Sequence, residues 1–185
     1  LLNYISNYYV QQETSINFGM WGDSWMVNPF LANAFAGITI LINSLVINLI
    51  FNVNEFMERN SYMPSLLYIV FMSFYHSFYT IDGLLVAHTF IILMIFHFFK
   101  LRQNEDGRAS VFNGAFFAGL ATTFHPPMVL WIPFVLIMIW NIRPFIIRET
   151  LLTLIGFMIP ILYAIVFMWY YGQRIELKIL DRVSE

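Results

Sequence analysis

The sequence predicts an all-α fold, a polytopic bundle of about six membrane-spanning helices, from three observations. Of 185 residues, 59% are apolar and 11% charged, and the mean hydropathy is +0.70. Soluble domains carry about 25% charge and about 45–50% apolar residues. The charges cluster, leaving charge-free runs at 24–54, 60–81, 83–99, 109–142 and 150–173. Lys and Arg fall in alternate connections between the helices these runs predict, which is the pattern that orients membrane proteins.

A bilayer core of about 30 Å takes about 20 helical residues, and unpaired backbone is not tolerated in lipid, so each run is read as helix. The first predicted helix is Pro29 to Phe51, the second Tyr62 to Tyr79 and the third Gly83 to Phe99. The run 109–142 is too long for one span and is interrupted by His125-Pro126-Pro127. Two prolines remove two donors and disfavour helix before them, so the run divides into Arg108 to Phe124 and Pro127 to Trp140. The sixth helix is Thr150 to Tyr171, with Pro160 expected to kink it. Residues 1–28 form an outer segment, in which Leu1 to Val10 reads as the end of an earlier helix. Residues 29–171 are the bundle and 172–185 an amphipathic tail. The tail carries Arg174, Lys178, Asp181, Arg182 and Glu185 on one face and Ile175, Ile179, Leu180 and Val183 on the other, suited to a membrane surface or a partner.

Orientation follows from the connections. Arg59, Lys100, Arg102, Arg108, Arg143 and Arg148 occupy three alternate joints, whereas 11–28, 80–82 and 125–126 carry no Lys or Arg. The basic joints are assigned to the cytoplasm. Treating 108–140 as one re-entrant unit gives a five-span alternative that moves the basic tail inside; six spans are preferred because Pro-Pro makes a tight joint. Trp21, Trp25, Tyr75, Tyr79, Trp131, Trp169, Tyr170 and Tyr171 then form an outer aromatic belt, with Tyr62 and Trp140 at the inner edge.

Composition also excludes classes of function. A net charge of −2 without a basic tract argues against nucleic acid, and the lack of Cys removes disulfides, thiolate metal sites and Cys nucleophiles. No nucleotide loop, zinc motif, serine elbow or dinucleotide fingerprint occurs, so no cofactor is expected. His88 and His97 are half a turn out of phase and His76 and His125 lie on other elements, so no metal site is expected either.

On the first helix, Asn33, Gly37, Ser44, Asn48 and Asn52 form a narrow stripe. Small and amide side chains let helices approach and hydrogen-bond in lipid, so helix packing is favoured over a polar transport pathway, which ordinarily carries an ionisable group. Gly114, Ala118 and Thr122 repeat every four residues, with Ala115 and Gly119 beside them, and give a second contact surface. On the outer side the titratable groups ahead of the tail are Glu13, Asp23, Asp82 and His125, and a catalytic base or metal ligand there would have to come from them. Asp82-Gly83 is also an ordinary turn pair.

Two stretches carry a resemblance. Asn54-Glu55-Phe56-Met57-Glu58-Arg59-Asn60-Ser61-Tyr62 resembles a signature of an uncharacterised family of polytopic inner-membrane proteins of diderm bacteria. Asn113-Gly114-Ala115, Gly119-Leu120-Ala121, His125-Pro126-Pro127, Trp131-Ile132-Pro133, Arg143-Pro144 and Gly156-Phe157-Met158-Ile159-Pro160 fit the same family, over residues 30 to 172. Residues 109 to 172 also have the cadence of the GT-C glycosyltransferases, which take sugars from polyprenyl-phosphate donors. That class places a catalytic acid in an early outer loop, where this chain offers Glu13 and Asp23 without a paired acidic motif.

The expectation is a multi-pass protein of the bacterial inner membrane, a non-catalytic subunit or scaffold of a cell-envelope assembly. Its partners would be the lipid bilayer and other membrane subunits. The alternatives are a GT-C-like transferase using a polyprenyl lipid, and a lipid or solute transporter.

Overall fold

The computed structural model describes residues 15–21, 23–26, 29–57, 59–75, 80–103, 107–142 and 147–170. Among these, six helices build the bundle: α1 (Pro29–Val53), α2 (Met63–Ser73), α3 (Gly83–Gln103), α4 (Arg108–Phe124), α5 (Trp131–Ile142) and α6 (Ile147–Tyr170). Helices α1, α3 and α6 are long and apolar enough to cross a membrane. At 1.5 Å per residue, α2 covers about 16 Å and α4 about 25 Å.

The bundle is assembled around α4, whose sequence is a ladder of small residues. Ser110, Val111, Gly114, Ala115, Ala118, Gly119, Ala121, Thr122 and Thr123 are all buried. Gly114 faces α3, where a Cβ would stand 2.9 Å from the Phe98 ring. Gly119 faces α6, where a Cβ would collide with the Phe157 carbonyl and lie 3.1 Å from Pro160 Cγ. Gly156 of α6 reciprocates, with Cβ space closed at 2.8 Å by the Phe112 carbonyl. Residues 112 and 119 of α4 therefore meet 156 and 160 of α6 in the same order, and the two helices run parallel. The chain returns between them through a 3-10 turn, Pro126–Leu130, and α5, which buries Val135 and Ile139. That return makes the double proline a reversal joining two helices.

The outer surface is apolar and much of the polar content is inside. Leu41, Leu45, Leu66, Phe71, Phe134, Leu154 and Val166 are all exposed, whereas Asn43, Ser44, Asn48, Thr122, Thr123 and Thr153 are buried. In water this distribution would expose an aggregating surface; against lipid, the outer side chains lose nothing and the small and polar ones supply packing and hydrogen bonds.

Several boundaries differ from expectation for local reasons. α2 ends at Ser73, not Tyr79, and the Phe74 N–H closes back on Met72 and Phe71 in a tightened last turn. Ser73 Oγ donates to the Val70 carbonyl at 2.7 Å, and the aromatic, Ser and His residues that follow are weak helix formers. α3 extends a turn past Phe99 to Gln103. The fifth helix starts as 3-10 because Pro126 and Pro127 donate no N–H, and His125 takes the extended backbone (φ −141°, ψ 95°) that a residue before proline prefers. A short hairpin stands outside the all-α expectation. In it, β1 (Ser15–Asn17) pairs antiparallel with β2 (Asp23–Met26). Leu1 to Val10 and the amphipathic tail lie outside the described residues.

The C-terminus of α1 is closed by a Schellman turn. Phe56 N–H bonds the Phe51 carbonyl at 3.1 Å and Glu55 N–H the Asn52 carbonyl at 3.3 Å. Glu55 occupies the left-handed position, φ 53°, which favours glycine. The Phe56 ring packs on Phe51 and on Phe99 of α3, with centroids 5.2 Å away in both cases, so the ends of α1 and α3 meet. Asn52 then clamps the connection: its Oδ1 accepts from Ser61 N–H at 3.2 Å and its Nδ2 donates to the Ser61 carbonyl at 3.4 Å.

Three mutational outcomes follow from this geometry. Gly119→Ala should destabilise the detergent-solubilised protein by about 1–3 kcal/mol through overpacking against backbone. Gly37→Ala, where nothing lies within 4 Å of the added Cβ, should be neutral or stabilising by up to about 1 kcal/mol. Thermal unfolding followed by circular dichroism compares the two. Glu55→Gly should raise the Tm, corresponding to about 1 kcal/mol, by relieving the left-handed residue.

Candidate functional site

The end of the bundle carrying the α3 N-terminus and the α4 C-terminus gathers the outer candidates. Asp82 is the N-cap of α3: its carbonyl accepts from Val86 N–H at 3.1 Å and its Oδ1 accepts from Gly83 N–H at 2.6 Å. A carboxylate at a helix N-terminus satisfies an orphan donor and complements the helix dipole. Gly83 lets α3 meet the end of α4, since a Cβ there would lie 2.5 Å from the Phe124 carbonyl and 2.7 Å from that of Asn17. His125 follows immediately, half-buried, as the C-cap of α4. Its N–H bonds the Ala121 carbonyl at 2.9 Å and its own carbonyl accepts Met128 N–H at 2.9 Å. Asp82 and His125 are thus brought to one end of the bundle by the Gly83–Phe124 contact. Asp23 lies in β2 opposite Asn17 at that end. Glu13 and His76 lie outside the described residues.

The hairpin connection closes over this end. Asn17 Oδ1 accepts Gly19 N–H at 2.7 Å, and Gly19 has φ 65°, held where a Cβ would collide with the Phe124 carbonyl. This turn carries Trp21 into contact with the end of α4, where its Nε1 donates to Thr123 Oγ1 at 3.1 Å. The indole ring meets Phe124 at 6.0 Å, Phe167 at 5.1 Å and Tyr163 at 6.2 Å. Trp21 therefore bridges α4 and α6, beyond the belt position its sequence context implies.

The interior of α1 is arranged differently from the stripe. Asn48 and Ser44 are buried and Asn33 is half-buried, but Gly37 is exposed. The inward positions of the outer half are Ala32 and Ala36, one residue earlier, where the Ala32 carbonyl accepts Ile81 N–H at 3.3 Å. Asn43, which the stripe omitted, is almost fully buried and donates through Nδ2 to Thr89 Oγ1 of α3 at 2.9 Å. Tyr68 of α2 stacks on His88 of α3, with centroids 5.9 Å apart and planes at 11°. A wider helical wheel, taking in position 43, would have found the asparagine; no spacing pairs Tyr68 with His88. Gly114, Ala118, Gly119 and Thr122 lie buried on α4, and Thr122 Oγ1 donates back to the Ala118 carbonyl at 3.0 Å.

At the opposite end, Arg59 follows α1, Lys100 and Arg102 close α3, Arg108 opens α4 and Arg148 opens α6. Lys100 Nζ stands 4.4 Å over the Phe96 ring. Glu149, which no motif distinguishes, is buried in the first turn of α6. Among the described residues, no three His, Asp or Glu side chains group to hold a metal.

The Trp21–Thr123 bond gives a measurable coupling. Trp21→Phe and Thr123→Val should each lower stability by about 0.5–1.5 kcal/mol. The double variant should lose less than the sum, as read by thermal unfolding in a double-mutant cycle.

No curated protein and no solved structure matches the chain. A family profile does match, over residues 25–180, which takes in the whole bundle. The chain belongs to the family of unknown function DUF6427.

Proposed function

We propose that this chain is a multi-pass protein of the bacterial inner membrane that serves as a non-catalytic subunit or scaffold of a cell-envelope assembly. The observation that carries the reading is the segregation of charge on an apolar bundle. Arg59, Lys100, Arg102, Arg108 and Arg148 collect at one end, while the other end carries Asp23, Asp82, His125 and Trp21. Basic ends stay in the cytoplasm and aromatic ends favour the interface, which fits an outward-facing Trp21 end. The Asp82 carboxylate there serves structure first, engaged in capping α3.

The chain has no Cys, so single cysteines report topology directly. In spheroplasts, a membrane-impermeant maleimide should label Asn17→Cys and Pro127→Cys, and reach Asn60→Cys and Ala109→Cys only after permeabilisation. Labelling of all four from the same side rejects the topology. Gentle detergent extraction should bring down other membrane proteins with the chain; a clean monomer with intrinsic transferase activity rejects the scaffold role.

A second reading, a transferase using a polyprenyl-phosphate sugar, draws on the gathering of Asp23, Asp82 and His125 at one end. Asp82→Asn separates the two, because Asn caps a helix as well as Asp does but is not a base. An unchanged envelope glycan profile favours the scaffold. Loss of a glycan product with an unchanged Tm favours the enzyme.

A further inference from the structure

The α1–α2–α3 interface holds polar side chains that only partly satisfy one another. Asn43, 1% exposed, gives its Nδ2 hydrogen to Thr89, whose hydroxyl in turn donates to the Leu85 carbonyl at 3.1 Å. The Tyr68 hydroxyl approaches the Asn43 amide yet makes no hydrogen bond of normal geometry, although the residue is only 9% exposed. Asn48, 7% exposed, leaves Oδ1 without a donor. Five residues separate Asn43 from Asn48, a rise of about 7.5 Å along α1. The surroundings are apolar: Ile50, Met72 and Ile92 are buried in the same cluster, with Ile47 and Ile95 against it. A polar atom left unpaired in such a place is strongly unfavourable, and hydrogen-bonding groups buried in proteins are ordinarily satisfied by protein or by ordered water.

We propose that this interface is an intramembrane hydration site, taking water at two stations, one at the Tyr68 hydroxyl beside Asn43 and one at Asn48 Oδ1. The guest is uncharged because neither α1 nor α2 carries an ionised side chain, and the basic residues of α3 lie in its last turn, with Lys100 eleven residues beyond Thr89. His88, stacked on Tyr68, and Thr89 are the groups that α3 presents beside the first station. A water donates to an amide oxygen and both donates to and accepts from a phenol, so it completes each group without rearranging the helices.

Water-edited solid-state NMR of the isotopically labelled protein in phosphatidylethanolamine–phosphatidylglycerol bilayers tests the proposal. The Tyr68 ring and the Asn43 and Asn48 side-chain amides should receive water magnetisation several-fold faster than Ile50 and Ile92, which share the interface. Build-up as slow as that of Ile92 overturns it. Tyr68→Phe supplies both the assignment and a second readout: it should abolish the fast transfer at Asn43, leave that at Asn48, and lower the Tm. A raised Tm, as expected when an orphaned hydroxyl is removed from an apolar site, also overturns the proposal.

Discussion

The approach of α4 to α6 at Gly119 is the contact from which the rest of the bundle takes its shape. With the Phe157 carbonyl and Pro160 Cγ in the space that a Cβ would fill, the two helices meet backbone to backbone. Apolar side chains gain nothing from leaving lipid for one another, so association must come from van der Waals contact and polar pairing, and both depend on close approach. Gly156 against Phe112 repeats the contact from the other side. Pro160 lacks an N–H for the Gly156 carbonyl, so the α6 backbone is least regular where it is pressed closest. Once α4 and α6 are parallel neighbours, the chain between them has to turn back, and His125-Pro126-Pro127 is where it does so.

That reversal also sets the end that carries Trp21. Because α4 stops at Phe124, its last carbonyls lie open to the Gly19 turn and to Gly83, two glycines that admit backbone where a side chain would not fit. Trp21 then packs across the tips of α4 and α6. Asp82 and His125 are brought to this end through the same contact, Asp82 beginning α3 through its carboxylate and His125 ending α4 through its backbone.

The α1–α2–α3 half is held differently. Among the described residues it shows no glycine contact of the kind α4 makes, and a polar link between its helices is the Asn43–Thr89 bond, set beside the Tyr68–His88 stack. One half of the bundle is thus packed through close glycine contacts, and the other is joined by the Asn43–Thr89 bond beside an apolar cluster. A Schellman turn at Glu55 and the Asn52 clamp on Ser61 fasten the connection from α1 to α2, and Phe56 carries that connection onto α3.

Much of this was legible in the residues. The bounds of α4, Arg108 to Phe124, follow from charge at one end and proline at the other, and the position of α1 from the charge-free run, because helix limits in lipid are set by local chemistry. Alternation of basic joints determined which ends lie together. The early stop of α2, the 3-10 start after His125 and the left-handed Glu55 were not legible, since each depends on hydrogen bonds within a single turn that period and hydropathy do not resolve. Nor was the rotation of α1 by one residue, which turns Ala32 and Ala36 inward and leaves Gly37 open. A stripe of small and polar residues states that a helix has a contact face, but the neighbour decides which residues fill it. Sequence alone therefore determined the helical class of this chain and the apolar runs that are long enough to cross a membrane. The tertiary structure decided which glycines touch backbone, and it joined Asn43 to Thr89, Tyr68 to His88 and Trp21 to Thr123, because those pairings depend on helix rotation and depth, which no single helix specifies.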